Sequence, residues 1–252
     1  LSNLGQGNVG GYDFRWGDYS TVAVVGGRVY ITTNGSTLVV YDSIPTSATQ
    51  APDFVLGATD LYVDANIENF VMSNPVPVSN GTSLFASSDF DGRLFVWRNL
   101  PDESGAAPDV VYHFCRYNNE ETASRHQCED GFGPWDNTLH GDSFALAGGT
   151  RLLIWTELPL EGNLPAYDFK ESVGSVQFDE LTGVAMDEHY FYVADKRAGA
   201  VYVWAGIPDG THEPVATLAV NQPTRLSSDG TWLAVNSTMG NGAQIFRVDQ
   251  IA

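Results

Sequence analysis

The sequence predicts an all-β chain, a five-bladed β-propeller, on three observations. One short pattern recurs five times in 252 residues: three apolar residues, an aromatic, two variable residues, then Ile/Leu-Pro. A second apolar run precedes each copy at hairpin distance, so each copy reads as a pair of neighbouring strands. Both runs are β-branched or aromatic at nearly every position, which suits strands covered on both faces. Repeats of about 40–50 residues built from short strands signal a propeller. The first apolar positions lie 56, 58, 49 and 44 residues apart, an irregularity that a ring with variable outer loops accommodates better than a strict solenoid.

The copies are Leu38–Pro45, Leu94–Pro101, Leu152–Pro159 and Val201–Pro208, with a degenerate fifth at Ile245–Ile251. The runs before them are Val29–Thr32, Leu84–Ser87, Phe144–Ala147, Phe191–Ala194 and Trp232–Val235. Inner strands are expected at about Thr21–Val25, Val76–Ser79, Asp136–His140, Gly183–Asp187 and Thr224–Ser228. Outer strands follow Pro-containing turns, as in Ala51-Pro-Asp-Phe54 and Ala107-Pro-Asp-Val110, where the missing proline N–H costs little. The expected blades span about 20–57, 75–114, 135–170, 182–220 and 223–252, in one domain covering 1–252. The fifth copy stops after its third strand. Asn3-Leu4-Gly5-Gln6 resembles Val55-Leu56-Gly57-Ala58, so Leu1–Gln6 is expected to complete the last blade. A disordered tail and insertion into a neighbouring molecule are the alternatives.

These copies resemble NHL-type repeats. The resemblance rests on Phe191-Tyr-Val-Ala-Asp195, Val201-Tyr-Val-Trp204, Ile207-Pro208 and Pro52-Asp-Phe-Val-Leu-Gly57, and it covers roughly Thr21 to Ile251. It implies a ring of four-stranded blades and a binding or scaffolding role. Six blades are usual in that family, so six is the alternative to five. The family's Asp-x-x-Asn-x-Arg turn is absent: Asp195-Lys-Arg-Ala-Gly199 and Asp89-Phe-Asp-Gly92 keep only the leading Asp.

Net charge is −19, from 12 Lys and Arg against 31 Asp and Glu. Nucleic acid is therefore not an expected partner, because phosphate recognition needs clustered cations. No apolar stretch approaches the ~18 residues of a membrane span. The chain begins at Leu1 rather than Met and is expected to be the processed form of an extracellular or cell-surface protein.

His113-Phe-Cys115 and His126-Gln-Cys128 form the most specific constellation. The only two cysteines favour a disulfide, Cys115–Cys128, which would stabilise by ~3 kcal/mol in the chain-entropy model. The alternative is a structural zinc set of His113, Cys115, His126 and Cys128. Three glycosylation sequons begin at Asn34, Asn80 and Asn236, all expected at turns. No resident cofactor is expected, with calcium and zinc as alternatives. Catalytic motifs are missing, and the expected inner strands carry only Asp136 and Asp187 at their ends. Trp97, Trp155 and Trp204 share one repeat position with Tyr41 and are read as inter-blade packing rather than a sugar platform. Leu1, Leu4, Trp16, Phe70, Tyr117 and Trp135 are the candidate interface residues, with the loops Ala58–Asn74 and Arg116–Gln127.

The functional expectation is a non-enzymatic extracellular scaffold that contacts itself or another protein, as the subunit of a surface layer or filament would. A carbohydrate-binding module, with glycans as partner, is one alternative. A glycan hydrolase or lyase working at the central channel is the other. Thiol titration under denaturing conditions is expected to find no free thiol; two free thiols together with bound metal would replace the disulfide by the zinc set.

Overall fold

The computed structural model describes residues 7–9, 12–14, 21–32, 37–47, 49–61, 72, 74–89, 92–114, 132–238 and 242–252. The chain divides into two compact units, Leu1–Gly133 and Pro134–Ala252. The first holds a short hairpin, β1 (Gly7–Val9) with β2 (Tyr12–Phe14), and two four-stranded sheets. One sheet runs β3 (Val22–Val25), β4 (Arg28–Thr32), β5 (Leu38–Tyr41), β6 (Phe54–Leu56). The other runs β7 (Val76–Ser79), β8 (Leu84–Ser88), β9 (Arg93–Trp97), β10 (Val110–His113). All pairings are antiparallel between consecutive strands, the meander of a propeller blade.

The apolar runs meet face to face. Tyr30, Leu38, Val40, Phe54 and Leu56 of the first sheet pack on Leu84, Ala86, Phe95 and Trp97 of the second. Met72, in the link expected to supply an outer contact, is fully buried in the same core. That link is therefore tied to the fold at one end by burial of a long apolar side chain.

The second unit holds three sheets and a two-residue-per-strand hairpin that the repeats do not foreshadow. The third sheet is β11 (Asp136–His140), β12 (Ser143–Gly148), β13 (Arg151–Trp155), β14 (Tyr167–Lys170). The extra hairpin, β15 (Ser172–Val173) with β16 (Val176–Gln177), follows. The fourth sheet is β17 (Leu181–Met186), β18 (Tyr190–Asp195), β19 (Ala200–Ala205), β20 (Ala216–Ala219). The fifth is β21 (Pro223–Ser228), β22 (Trp232–Ser237), β23 (Gln244–Arg247), followed by a 3-10 turn over Val248–Gln250. One core joins Ala145, Ala147, Leu152 and Ile154 of the third sheet to Leu181, Val184, Phe191, Val193 and Trp204 of the fourth. Another joins Tyr192, Ala194, Val201 and Val203 of the fourth to Leu233, Val235 and Val248 of the fifth region. Five such sheets make the chain all-β, a five-bladed β-propeller. Among the described residues the fifth blade has three strands; Leu1–Gln6, expected as its fourth, lie outside those residues.

Register explains why the fifth copy looks degenerate. In the first four copies the aromatic pairs with the first residue of the preceding run: Tyr41 with Val29, Trp97 with Leu84, Trp155 with Phe144, Trp204 with Phe191. In the fifth, Arg247 holds that place opposite Trp232, one residue earlier than the repeat alignment puts it. A one-residue shift exchanges the two faces of a strand. Leu233 and Val235 thus turn into the core shared with the fourth sheet, while Trp232 and Ile245 lie on the opposite, exposed face.

The repeated aromatic does more than pack. The indole N–H of Trp97 donates to Ala106 O (3.0 Å), that of Trp155 to Asn163 O (2.9 Å) and that of Trp204 to His212 O (3.2 Å). The Tyr41 hydroxyl donates to Gln50 O at 3.3 Å. Each acceptor lies in the loop leading to the fourth strand, so one buried ring fills a blade core and fixes the chain reversal beside it. Asp53 and Asp109, from the Pro-Asp turns, add a second tie by accepting the backbone N–H of Asp42 and Arg98, each at 2.8 Å.

Trp204→Phe removes the hydrogen bond and keeps most of the volume; denaturant unfolding should show a loss of about 1 kcal/mol. Trp204→Ala should cost about 3–5 kcal/mol.

Candidate functional site

In the second unit the inner strands β11, β17 and β21 lie side by side. β21 has a register irregularity between Pro223 and Leu226, the segment that carries Arg225. Its guanidinium donates through Nη1 to Trp135 O and to Asp136 Oδ1 (2.8 Å). The other Asp136 oxygen accepts Val184 N–H at 3.1 Å. Asp136 is buried, and burial pushes its carboxyl up, against the pull of Arg225 and the Val184 N–H. The couple ties three blades together at their inner strands. β17 has a matching irregularity at Thr182, whose hydroxyl donates to Pro223 O at 2.8 Å. Gly183 faces Thr224 O so closely that no Cβ would fit, which explains a glycine inside a strand.

Asp187 has a different task. Oδ1 accepts the N–H of His189 (2.8 Å) and Tyr190 (2.9 Å), and Oδ2 accepts the hydroxyls of Tyr192 (2.8 Å) and Ser228 (2.5 Å). Burial opposes the charge, but these four donors hold the carboxyl below its usual range. Burial and the carboxylate push the Tyr192 hydroxyl far up. Asp229 closes the equivalent turn on Thr231 and Trp232, and Asn80 does so on Thr82 and Ser83. The residues anchoring Asp136, Val184 and Arg225, are three positions from Asp187 and Ser228 on their strands. That is about 10 Å of extended chain. Each carboxylate is engaged by structural donors.

The other sequence-predicted residues are dispersed. Trp135 is half-buried, with its backbone N–H donating to Ala147 O at 2.9 Å. His113 ends β10 with an exposed side chain. Asn80 is exposed at its turn. Asn236, expected at a turn, lies in β22, exposed on the uncovered face of the fifth sheet; the alternation of Trp232–Ser237 carries the strand that far. Leu1, Leu4, Trp16, Asn34, Phe70, Cys115, Tyr117, His126 and Cys128 lie outside the described residues. Among those described, no group of three or more His, Cys, Asp or Glu is placed to hold a metal. No described helix is long and apolar enough to cross a membrane.

A cleft of about 410 Å³ at the end of the fourth and fifth blades escaped the sequence reading. Glu180, Lys196, Arg197, Gly199, Asn221 and Gln222 line it. Buried Asp195 holds two of its walls, accepting the N–H of Asp179 (2.8 Å), Glu180 (3.0 Å) and Ala198 (3.1 Å). Lys196 Nζ lies 3.4 Å from Glu180 Oε1, Arg197 Nε 2.9 Å from Glu180 Oε2 and Arg197 Nη1 3.6 Å from Asp179 Oδ1. On the third wall, Gln222 sits in the left-handed region at φ 47, and its Oε1 accepts the Thr238 hydroxyl at 3.1 Å. The available signal was Lys196-Arg197, the only adjacent pair of Lys or Arg residues in the sequence.

Hydrogen bonds also hold Asp168, Asp209 and Asp229 below the usual carboxylate range, Asp168 chiefly through Arg151. For these and Asp187, the folded value lies under the unfolded value of about 3.9. Their contribution is therefore complete above about pH 5 and lost as pH falls through the folded values. Asp136 runs the opposite way, since acid relieves the cost of its buried charge. A thermal melt series from neutral to strong acid should show the melting temperature falling below about pH 5. Asp187→Ala should cost about 1 kcal/mol at neutral pH and flatten the acid limb.

No family model matches the chain, and no curated protein matches it. Among solved structures it is similar to the crystal structure of BamB from Moraxella catarrhalis, at 14% identity and a TM-score of 0.45, over 90% of this chain and 71% of that one. The five consecutive antiparallel meanders make the chain a propeller independently of that likeness.

Proposed function

We propose that the chain is a non-catalytic extracellular scaffold of NHL-like character that works through protein contacts, and that its contact is with further copies of itself in a layer or filament. The fifth sheet carries this reading. Trp232 is 46% exposed and Ile245 58% exposed, both on the face turned away from the core shared with the fourth sheet. β23 has no strand on its outer side among the described residues, whereas the other four blades each have a fourth strand there. An unpaired strand edge is a template for an added strand. Asn3-Leu4-Gly5 resembles Val55-Leu56-Gly57, the end of fourth strand β6 and the residue after it, so the N-terminal segment of a second copy is the matching donor. The engaged state of Asp136 and Asp187 supports a non-catalytic role.

A carbohydrate-binding reading is favoured by one separate observation, the polar cleft beside Lys196. Sedimentation velocity across a wide concentration range in native salt should show assembly that Trp232→Ser with Ile245→Lys abolishes. Monomer at every concentration would sink the self-assembly reading.

A further inference from the structure

We propose that the cleft at the end of the fourth and fifth blades binds a small hydroxylated carboxylate of the size of a uronic acid residue. This site is separate from the fifth-sheet contact surface, and its failure would leave that reading standing. The cleft volume of about 410 Å³ falls in the range of small-molecule sites, roughly 300–1,000 Å³. Its lining is polar, so the ligand must be recognised through hydrogen bonds and charge.

The donor balance selects an acceptor-rich ligand, because the charges of Lys196 and Arg197 are matched by Glu180 and Asp179. Lys196 offers three N–H donors and Arg197 five. Against them stand Glu180 and Asp179, with a single contact of 3.4 Å on Lys196 and contacts of 2.9 and 3.6 Å on Arg197. Gln222 spends its oxygen on Thr238, which leaves its amide N–H groups as what it can offer a ligand. Asn221 adds an exposed amide with both donor and acceptor capacity. The lining therefore has donors in excess and asks for a ligand richer in acceptors, which a carboxylate supplies. Glu180, held among the cations, selects against a more highly charged anion. A phosphate dianion would meet its carboxylate, whereas a hydroxyl would donate to it. One carboxylate with neighbouring hydroxyls answers both requirements.

The walls are held in place before any ligand arrives. Asp195 pins the 179–180 and 195–199 segments through three backbone N–H groups. Val220 N–H donates to Gly199 O at 3.0 Å and joins the third wall to the second. Gln222 keeps its φ of 47 with Pro223 following, so the backbone of the third wall is set by the start of its inner strand.

Isothermal titration calorimetry of the full chain with galacturonate, galactose and inorganic phosphate tests the proposal. Galacturonate should bind with a dissociation constant of about 1 mM, and galactose and phosphate at least about tenfold more weakly. Lys196→Met and, separately, Arg197→Leu should each weaken galacturonate about tenfold or more, equivalent to about 1.4 kcal/mol, with unchanged melting temperature; Arg247→Met should not weaken it. Tighter binding of trigalacturonate than of the monomer would identify a polymer as the source, and equal binding the free acid. No binding of either uronate, equal binding of galactose or of phosphate, or full affinity in both cleft variants would overturn it.

Discussion

A sheet that is apolar on both faces is stable only between two other surfaces, and this requirement governs most of the chain. The central strands β5, β8, β9, β12, β13 and β18 have almost no exposed residue. An isolated hairpin of this composition would leave both apolar faces in water at roughly 25 cal/mol per Å². Repetition solves the problem within each unit, because the second sheet covers a face of the first, the fourth a face of the third, and the fifth the other face of the fourth.

Stacking apolar faces leaves the blade ends to be settled by polar groups. Three devices recur. A buried aromatic reaches from the third strand to a loop carbonyl. An Asp or Asn side chain closes the turn between first and second strands on two N–H groups. A proline carbonyl at the start of an inner strand accepts a threonine hydroxyl from the preceding blade, as Pro75 does from Thr21 and Thr32 and Pro223 from Thr182. In both proline cases the preceding residue, Asn74 or Gln222, is left-handed. These bonds satisfy groups that burial would otherwise penalise.

Strand positions were legible in the sequence because alternation and β-branching are local properties. The inner strands at Val76–Ser79 and Asp136–His140 agree with the expectation to the residue. β17 and β21 begin earlier than expected because irregularities at Thr182 and Thr224-Arg225 carry the pairing past a break in the apolar pattern. The candidate sites were less legible. The bond between Arg225 and Asp136 joins residues 89 positions apart, and no local pattern marks it. The cleft depends on three loops meeting, two of them ordered by Asp195. Asp195 itself was visible only as the first residue of a polar turn.

The aromatic ties have a consequence for where the molecule can change length. From aromatic to bonded carbonyl the chain runs eight or nine residues in all four blades. The connections from one blade to the next are long after the first two blades and only a few residues after the fourth. The largest length differences thus fall in the links between repeats, while the reversal from third to fourth strand is held to a fixed ring size by the repeat's own side chain. Peptide grafts and reporter insertions belong in those links; the same insert between Trp204 and His212 would have to break the bond that defines the blade.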